Sequence, residues 1–201
     1  MLGTGVILPG VTTTNIDELQ QLILARATLQ PGTVIGIDGI NGSGKSCLAE
    51  QLAPLLRAKH INLDDFLNPS QGGFLNHLRY DELRKVISQA MAEGPVIVEG
   101  VCLREVLRRL CLEAELHIYI KHNIVCGYWQ GGSFLNSGFL DEALAEEKER
   151  ALRDDADTLS GLRLELINYH HKYLPHENPD FVYERRVREP VLNGAEQSGA
   201  Q

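Results

Sequence analysis

Apolar residues recur along the chain in two rhythms, short unbroken runs and longer stretches at three- and four-residue spacing, and their alternation predicts strands interleaved with helices. The runs are Thr33 to Asp38, His60 to Leu63, Pro95 to Gly100 and Glu115 to Lys121, with a last short one at Phe181-Val182-Tyr183. Val96-Ile97-Val98 is apolar throughout, the pattern of a parallel strand covered on both faces. Helical spacing covers Ile16 to Leu29, Cys47 to Arg57 (with Leu48, Leu52, Leu55 and Leu56), Tyr80 to Ala92, Val101 to Leu112 and the region from Phe139 to His170. Thr12-Thr13-Thr14-Asn15 offers N-cap oxygens to the first helix, and Pro31-Gly32 ends it. Such alternation predicts an α/β fold, a doubly wound parallel sheet of about five strands with helices on both faces and ligands at the strand C-terminal ends. Residues 1–32 read as an N-terminal segment whose amphipathic helix packs on the core, 33–184 as the main domain, and 185–201 as a flexible polar tail.

At 201 residues and 43% hydrophobic content the chain suffices for one such domain with a real core. A formal net charge of -8 leaves no broad basic face for a nucleic-acid backbone, while a small anionic ligand held by a few local cations stays compatible. Cys47, Cys102, Cys111 and Cys126 show no C-x-x-C spacing, so they read as reduced thiols of a cytoplasmic protein without a zinc site. Met1 to Gly10 lacks the basic start of a signal peptide, and no apolar stretch approaches membrane-spanning length. The expected partner is therefore a small molecule, with neither nucleic acid nor membrane; a homo-oligomer stays open.

Between the first strand and its helix, Gly39 to Ser46 reads Gly-Ile-Asn-Gly-Ser-Gly-Lys-Ser, a complete G-x-x-x-x-G-K-[ST] phosphate-binding loop in its required strand–loop–helix setting. Backbone N–H groups around Gly39, Asn41, Gly42, Ser43 and Gly44, together with the first helical turn through Cys47, can converge on a polyphosphate. Lys45 would reach the β- and γ-phosphates of a nucleotide, ATP being the expected one, and the Ser46 hydroxyl would ligate Mg2+. Cys47 would be partly shielded by bound nucleotide. Asp64 and Asp65 end the second strand and Glu99 ends the third, where this topology places its site. Asp64 suits the group that orients an acceptor hydroxyl and takes its proton, and Glu99 suits Mg2+. The plainer reading, a turn-capping Asp64-Asp65 pair, stays open. His170-His171 would point apart on a helix and could not easily share one ion. Tyr128 and Trp129 could stack on a base or anchor the core.

Gly36 to Ser46, then Leu63-Asp64-Asp65-Phe66, then Val96-Ile97-Val98-Glu99-Gly100 resemble the uridine kinase and phosphoribulokinase group of P-loop kinases. Arg150-Ala151-Leu152-Arg153-Asp154 is similar to that group's R-x-x-R-D lid element, and Tyr169 to Tyr183 to its Tyr-rich stretch before the last strand. The resemblance implies a P-loop kinase domain over 33–184 with a helical lid near 130–165. It also implies that Asp64 activates the acceptor, that Glu99 serves metal and substrate, and that Arg150 and Arg153 close over the phosphates. Residues three apart share a helix face, so both guanidinium groups could address the transferring phosphoryl group, or pair with Glu146 and Glu149 as a solvated face. Leu67 stands where uridine kinases usually carry Tyr, and Asn76-His77-Leu78-Arg79-Tyr80-Asp81 replaces their Asp-His-Pro element. The acceptor contacts implied are Asp64, Asp65, His77, Arg79, Tyr80 and Glu99. The function expected is transfer of the γ-phosphoryl of ATP to a hydroxyl of a nucleoside or sugar-like metabolite. A nucleotide-dependent switch and an inactive nucleotide binder are the alternatives, the first disfavoured as a GTPase by the absence of N-K-x-D.

Overall fold

A computed structural model describes residues 10–68, 73–123, 141, 142, 144, 145, 149 and 157–186. The elements run β1 (Val11–Thr13), α1 (Ile16–Arg26), β2 (Val34–Asp38), α2 (Lys45–Leu56), β3 (Lys59–Asn62), a 3-10 turn (Leu63–Phe66), α3 (Tyr80–Glu93), β4 (Val96–Glu99), α4 (Leu103–Arg109), β5 (Leu116–Asn123), α5 (Asp157–Tyr173) and β6 (Phe181–Arg186). These strands pair only in parallel, in the order β1-β6-β5-β2-β4-β3. Parallel strands need crossovers, and the helices that make them bury both sheet faces. Side chains alternate accordingly. Ile35, Ile37, Ile97, Ile118 and Phe181 pack against Leu19 and Ile23 of α1 and Leu48, Leu52 and Leu56 of α2. Val34, Val96 and Val98 face Leu83 and Ile87 of α3, Val106 of α4, and Leu166 and Tyr169 of α5.

Among the described residues the sheet has six strands, one more than the periodicity predicts. The sixth is β1, which joins the N-terminal segment to the edge through β6, pairing Val11 with Phe181 and Thr13 with Tyr183. Three residues with only Thr13 buried leave no periodic signal. Asn15 then caps α1, its side-chain oxygen accepting from Asp17 N–H at 2.8 Å. The helix stops at Arg26, short of Leu29, because Ala27 is extended. α4 is likewise shorter than its apolar pattern, bounded by Cys102 and Cys111 in left-handed backbone. In the other direction β6 continues past Tyr183, pairing Arg185 with His122 and Arg186 with Asn123, so these two residues belong to the sheet and not to the tail. No described helix is long and apolar enough to cross a membrane.

Candidate active site at the phosphate loop

β2 lies between β4 and β5 at the middle of the sheet, so the segment that follows Asp38 emerges where the strand order reverses. Gly44 takes a left-handed conformation (φ 97°) and hands the chain to α2, which starts at Lys45 without a side-chain cap. Its first amides are thus available to an anion. Ser43 N–H donates to Ile40 O at 3.2 Å, and Leu48 N–H to Gly44 O at 3.1 Å. The Lys45 ammonium is buried and donates to Ile40 O at 2.9 Å. Burial lowers its pKa; the charges of Asp38, then Glu99, then Asp64 oppose that. Arg185, delivered by β6, lies so close over Gly44 that a β-carbon there would meet its Nη1 at 2.5 Å. Beside the loop, Cys47, Gln51, Ile120, Tyr183 and Arg185 line a cleft, with Gln51 donating to the exposed Cys47 Sγ at 3.2 Å.

Across from the loop stand the carboxylates. β3 ends in the 3-10 turn because Asn62 Oδ1 accepts from Asp64 N–H at 2.8 Å, an Asx-type cap that brings Asp64 and Asp65 to its first positions. Asp64 reaches the surface, yet desolvation by its neighbours, then Glu99 and Asp65, raises its carboxyl pKa while Lys45 opposes. Glu99 ends β4 opposite Ile37 and Asn62 and is 1% exposed. Its Oε1 is buried without a hydrogen-bond partner, 3.5 Å from His60 Nε2. A buried carboxylate oxygen left without a hydrogen-bond partner is a donor of the kind Mg2+ prefers.

The chain after Asp65 is clasped from two sides. Arg79 donates through Nη2 to Asp65 O and through Nη1 to Leu67 O, both at 2.8 Å, and through Nε to Glu82 at 2.6 Å. Tyr80 Oη donates to Leu75 O at 2.8 Å. These polar groups therefore serve the loop that carries Asp64 and Asp65. His77 closes a turn through its N–H to Phe74 O and accepts from Asn68 N–H. From α5, Glu165 Oε2 accepts both Phe74 N–H (2.8 Å) and Leu75 N–H (3.1 Å).

Asp38 and Tyr169 carry no role in the sequence reading. Asp38, 2% exposed, accepts from Gly39 N–H at 2.7 Å and from Tyr169 Oη–H. Burial pushes its carboxyl up to about 6 against those two donors, Lys45 and Arg104. An acid closing an otherwise apolar strand, Val34-Ile35-Gly36-Ile37-Asp38, was a visible signal; its tyrosine partner, far along the chain, was not. Arg150, Arg153, Tyr128, Trp129 and Cys126 lie outside the described residues.

No family model and no curated protein matches the chain. Among solved structures, one described as a possible uridine kinase from Bacillus stearothermophilus superposes with a TM-score of 0.50 at 17% identity, over 84% of this chain and 96% of that one. Another, described as a fructose transport system kinase from Silicibacter sp., has a TM-score of 0.49 at 18% identity, over 85% and 100%. The six-stranded parallel sheet, its central phosphate loop and the first of these superpositions agree that the chain has the fold of the P-loop kinases.

Proposed function

We propose that the protein is an ATP-dependent kinase that transfers the γ-phosphoryl group to a hydroxyl of a small molecule, a nucleoside or a sugar-like metabolite. The observation that carries this is that the Asp64 and Glu99 carboxylates, at the C-terminal ends of β3 and β4, both act electrostatically on the buried Lys45 ammonium that follows β2. A hydrolytic switch needs no carboxylate poised for an acceptor; a kinase does. The solved relative described as a possible uridine kinase supports the reading.

The loop amides and Lys45 hold the donor phosphates, and the cleft beside Cys47 and Tyr183 receives the base. Ser46 and Glu99 would hold Mg2+, which when bound neutralises charge on the β- and γ-oxygens. Asp64 accepts the hydroxyl proton, helped by a raised pKa that makes it a better base than a solvated carboxylate. The acceptor oxygen then bonds to the γ-phosphorus as the bond to the β–γ bridging oxygen breaks, and ADP leaves. Arg150 and Arg153 supply the lid in this reading. Arg79 and Tyr80 hold the loop beneath the acceptor, with His77 and Asp65 at its rim.

The test is ADP release from Mg·ATP against a panel of nucleosides, pentoses, pantothenate and glycerate. The kinase reading expects a strong response to one compound that Lys45→Ala abolishes. Asp64→Asn should keep ATP binding and lower turnover by at least about a hundredfold, the usual share of a general base. A flat panel with tight ATP binding would favour the switch, and full turnover by Asp64→Asn would remove it from the chemistry.

A further inference from the structure

A carboxylate almost wholly withdrawn from water is costly unless its oxygens are hydrogen-bonded. Asp38 meets that demand at the root of the phosphate loop with two donors: the Gly39 N–H, the first amide of the loop, and the Tyr169 hydroxyl. The same Tyr169 oxygen accepts Arg104 N–H from the first turn of α4 at 3.2 Å. Tyr169 is itself 3% exposed, its ring 5.2 Å from that of Tyr173 and edge-on to His170 at 5.3 Å. The hydroxyl is therefore held from both sides and has little freedom to look elsewhere.

One turn earlier on the same face of α5, Glu165 grips the Phe74 and Leu75 amides. A single helix thus touches the root of the donor loop through Tyr169 and the loop that follows Asp64 and Asp65 through Glu165. We propose that Tyr169 and Asp38 form a positioning pair, through which α5 holds the phosphate loop in register with the acceptor side and so tunes the affinity for the donor's phosphates. Neither side chain reaches the reacting atoms; Tyr169 acts on Asp38, and Asp38 on Gly39 and on the charge environment of Lys45.

The inference rests on the reading of the loop as an ATP site, and its test separates the two. Mg·ATP is titrated calorimetrically into the parent protein, Lys45→Ala, Tyr169→Phe, Asp38→Asn and the Tyr169→Phe/Asp38→Asn double variant. Thermal midpoints and the dependence of turnover on ATP are measured alongside. Tyr169→Phe deletes one oxygen and leaves the packed ring. Losing a hydrogen bond to a charged group predicts a dissociation constant about tenfold higher. KM for ATP should rise in step, with kcat at saturation nearly unchanged. Because the two residues act as a unit, the double variant should bind no more weakly than Asp38→Asn alone.

A lower midpoint with unchanged Mg·ATP affinity would make the bond merely structural and overturn the inference, as would effects that multiply in the double variant. Should Tyr169→Phe fail to fold, Asp38→Asn reads the same bond from its other end, and parent-like affinity there overturns the proposal equally. No binding by the parent protein overturns the nucleotide reading and this inference with it. Parent binding that Lys45→Ala removes and Tyr169→Phe leaves intact overturns the inference alone.

Discussion

Gly44 is the narrowest point of the loop, since its φ of 97° is open to glycine and the Arg185 guanidinium occupies the space a β-carbon would take. Gly44→Ala should lower the unfolding free energy by about 1–2 kcal/mol from backbone strain alone. Gly94→Ala is the control: its φ of 176° is ordinary extended backbone and nothing lies within 4 Å. Urea denaturation of the two variants checks this, and equal midpoints would mean that the loop relaxes around a side chain without cost. Residues of this kind were legible in the sequence because a phosphate loop is a local device, in which each type answers to its own backbone position. Asp64 and Glu99 were legible for a related reason, both being acids at the ends of apolar runs. The Asp38–Tyr169 contact was not. Tertiary packing alone brings α5 to the end of β2, and no periodicity encodes that distance.

At the scale of elements, helices and buried strands announced themselves through their spacing, whereas β1 and the ends of α1 and α4 did not. Those ends depend on single residues leaving helical geometry, Ala27 into extended backbone and Cys102 and Cys111 into the left-handed region. The contacts of α5 were equally hidden, because helical spacing places the element and says nothing of the two side chains, four residues apart, that reach the loops. Glu165 makes the checkable contact. It satisfies two loop amides with one carboxylate oxygen, and charge-assisted bonds of this sort hold a loop against local opening. Glu165→Ala should therefore speed hydrogen exchange at the Phe74 and Leu75 amides by roughly tenfold or more. The amides of β4, inside the sheet, should keep their protection. Unchanged exchange at the two loop amides would show that Arg79 and Tyr80 hold the loop unaided.

Seen whole, the molecule places ionisable groups in its interior along the line where α5 crosses the sheet, and their titration sets how it responds to acid. His170 is 1% exposed, with Nδ1 bonded to Leu166 O at 2.8 Å and Nε2 to Tyr119 Oη at 2.9 Å; facing a carbonyl, Nδ1 carries the proton, and Nε2 of the neutral ring then accepts from the tyrosine. Burial lowers its pKa from 6.5 to about 4, and burial followed by the Arg104 charge does the same to His117. An unfolded chain takes up protons on both rings below 6.5 while the folded one resists until about 4, so stability is complete above pH 6.5 and drains as pH falls through that interval. For His170 the loss reaches about 2 kcal/mol at pH 5. Asp38 works in the opposite sense. Its folded pKa of about 6 exceeds the unfolded 3.8, so its burial is costly above pH 6 and becomes cheaper as it protonates, returning about 1 kcal/mol by pH 5. Two histidines outweigh one aspartate, and the protein should be less stable at pH 5 than at pH 7.5 by about 3 kcal/mol. Urea unfolding at the two pH values measures the difference. Equal or greater stability at pH 5 would mean that the rings are reached by water, or that the Asp38 proton dominates; repeating the pair of measurements on Asp38→Asn separates these, since that variant lacks the opposing carboxyl and should show the full histidine loss.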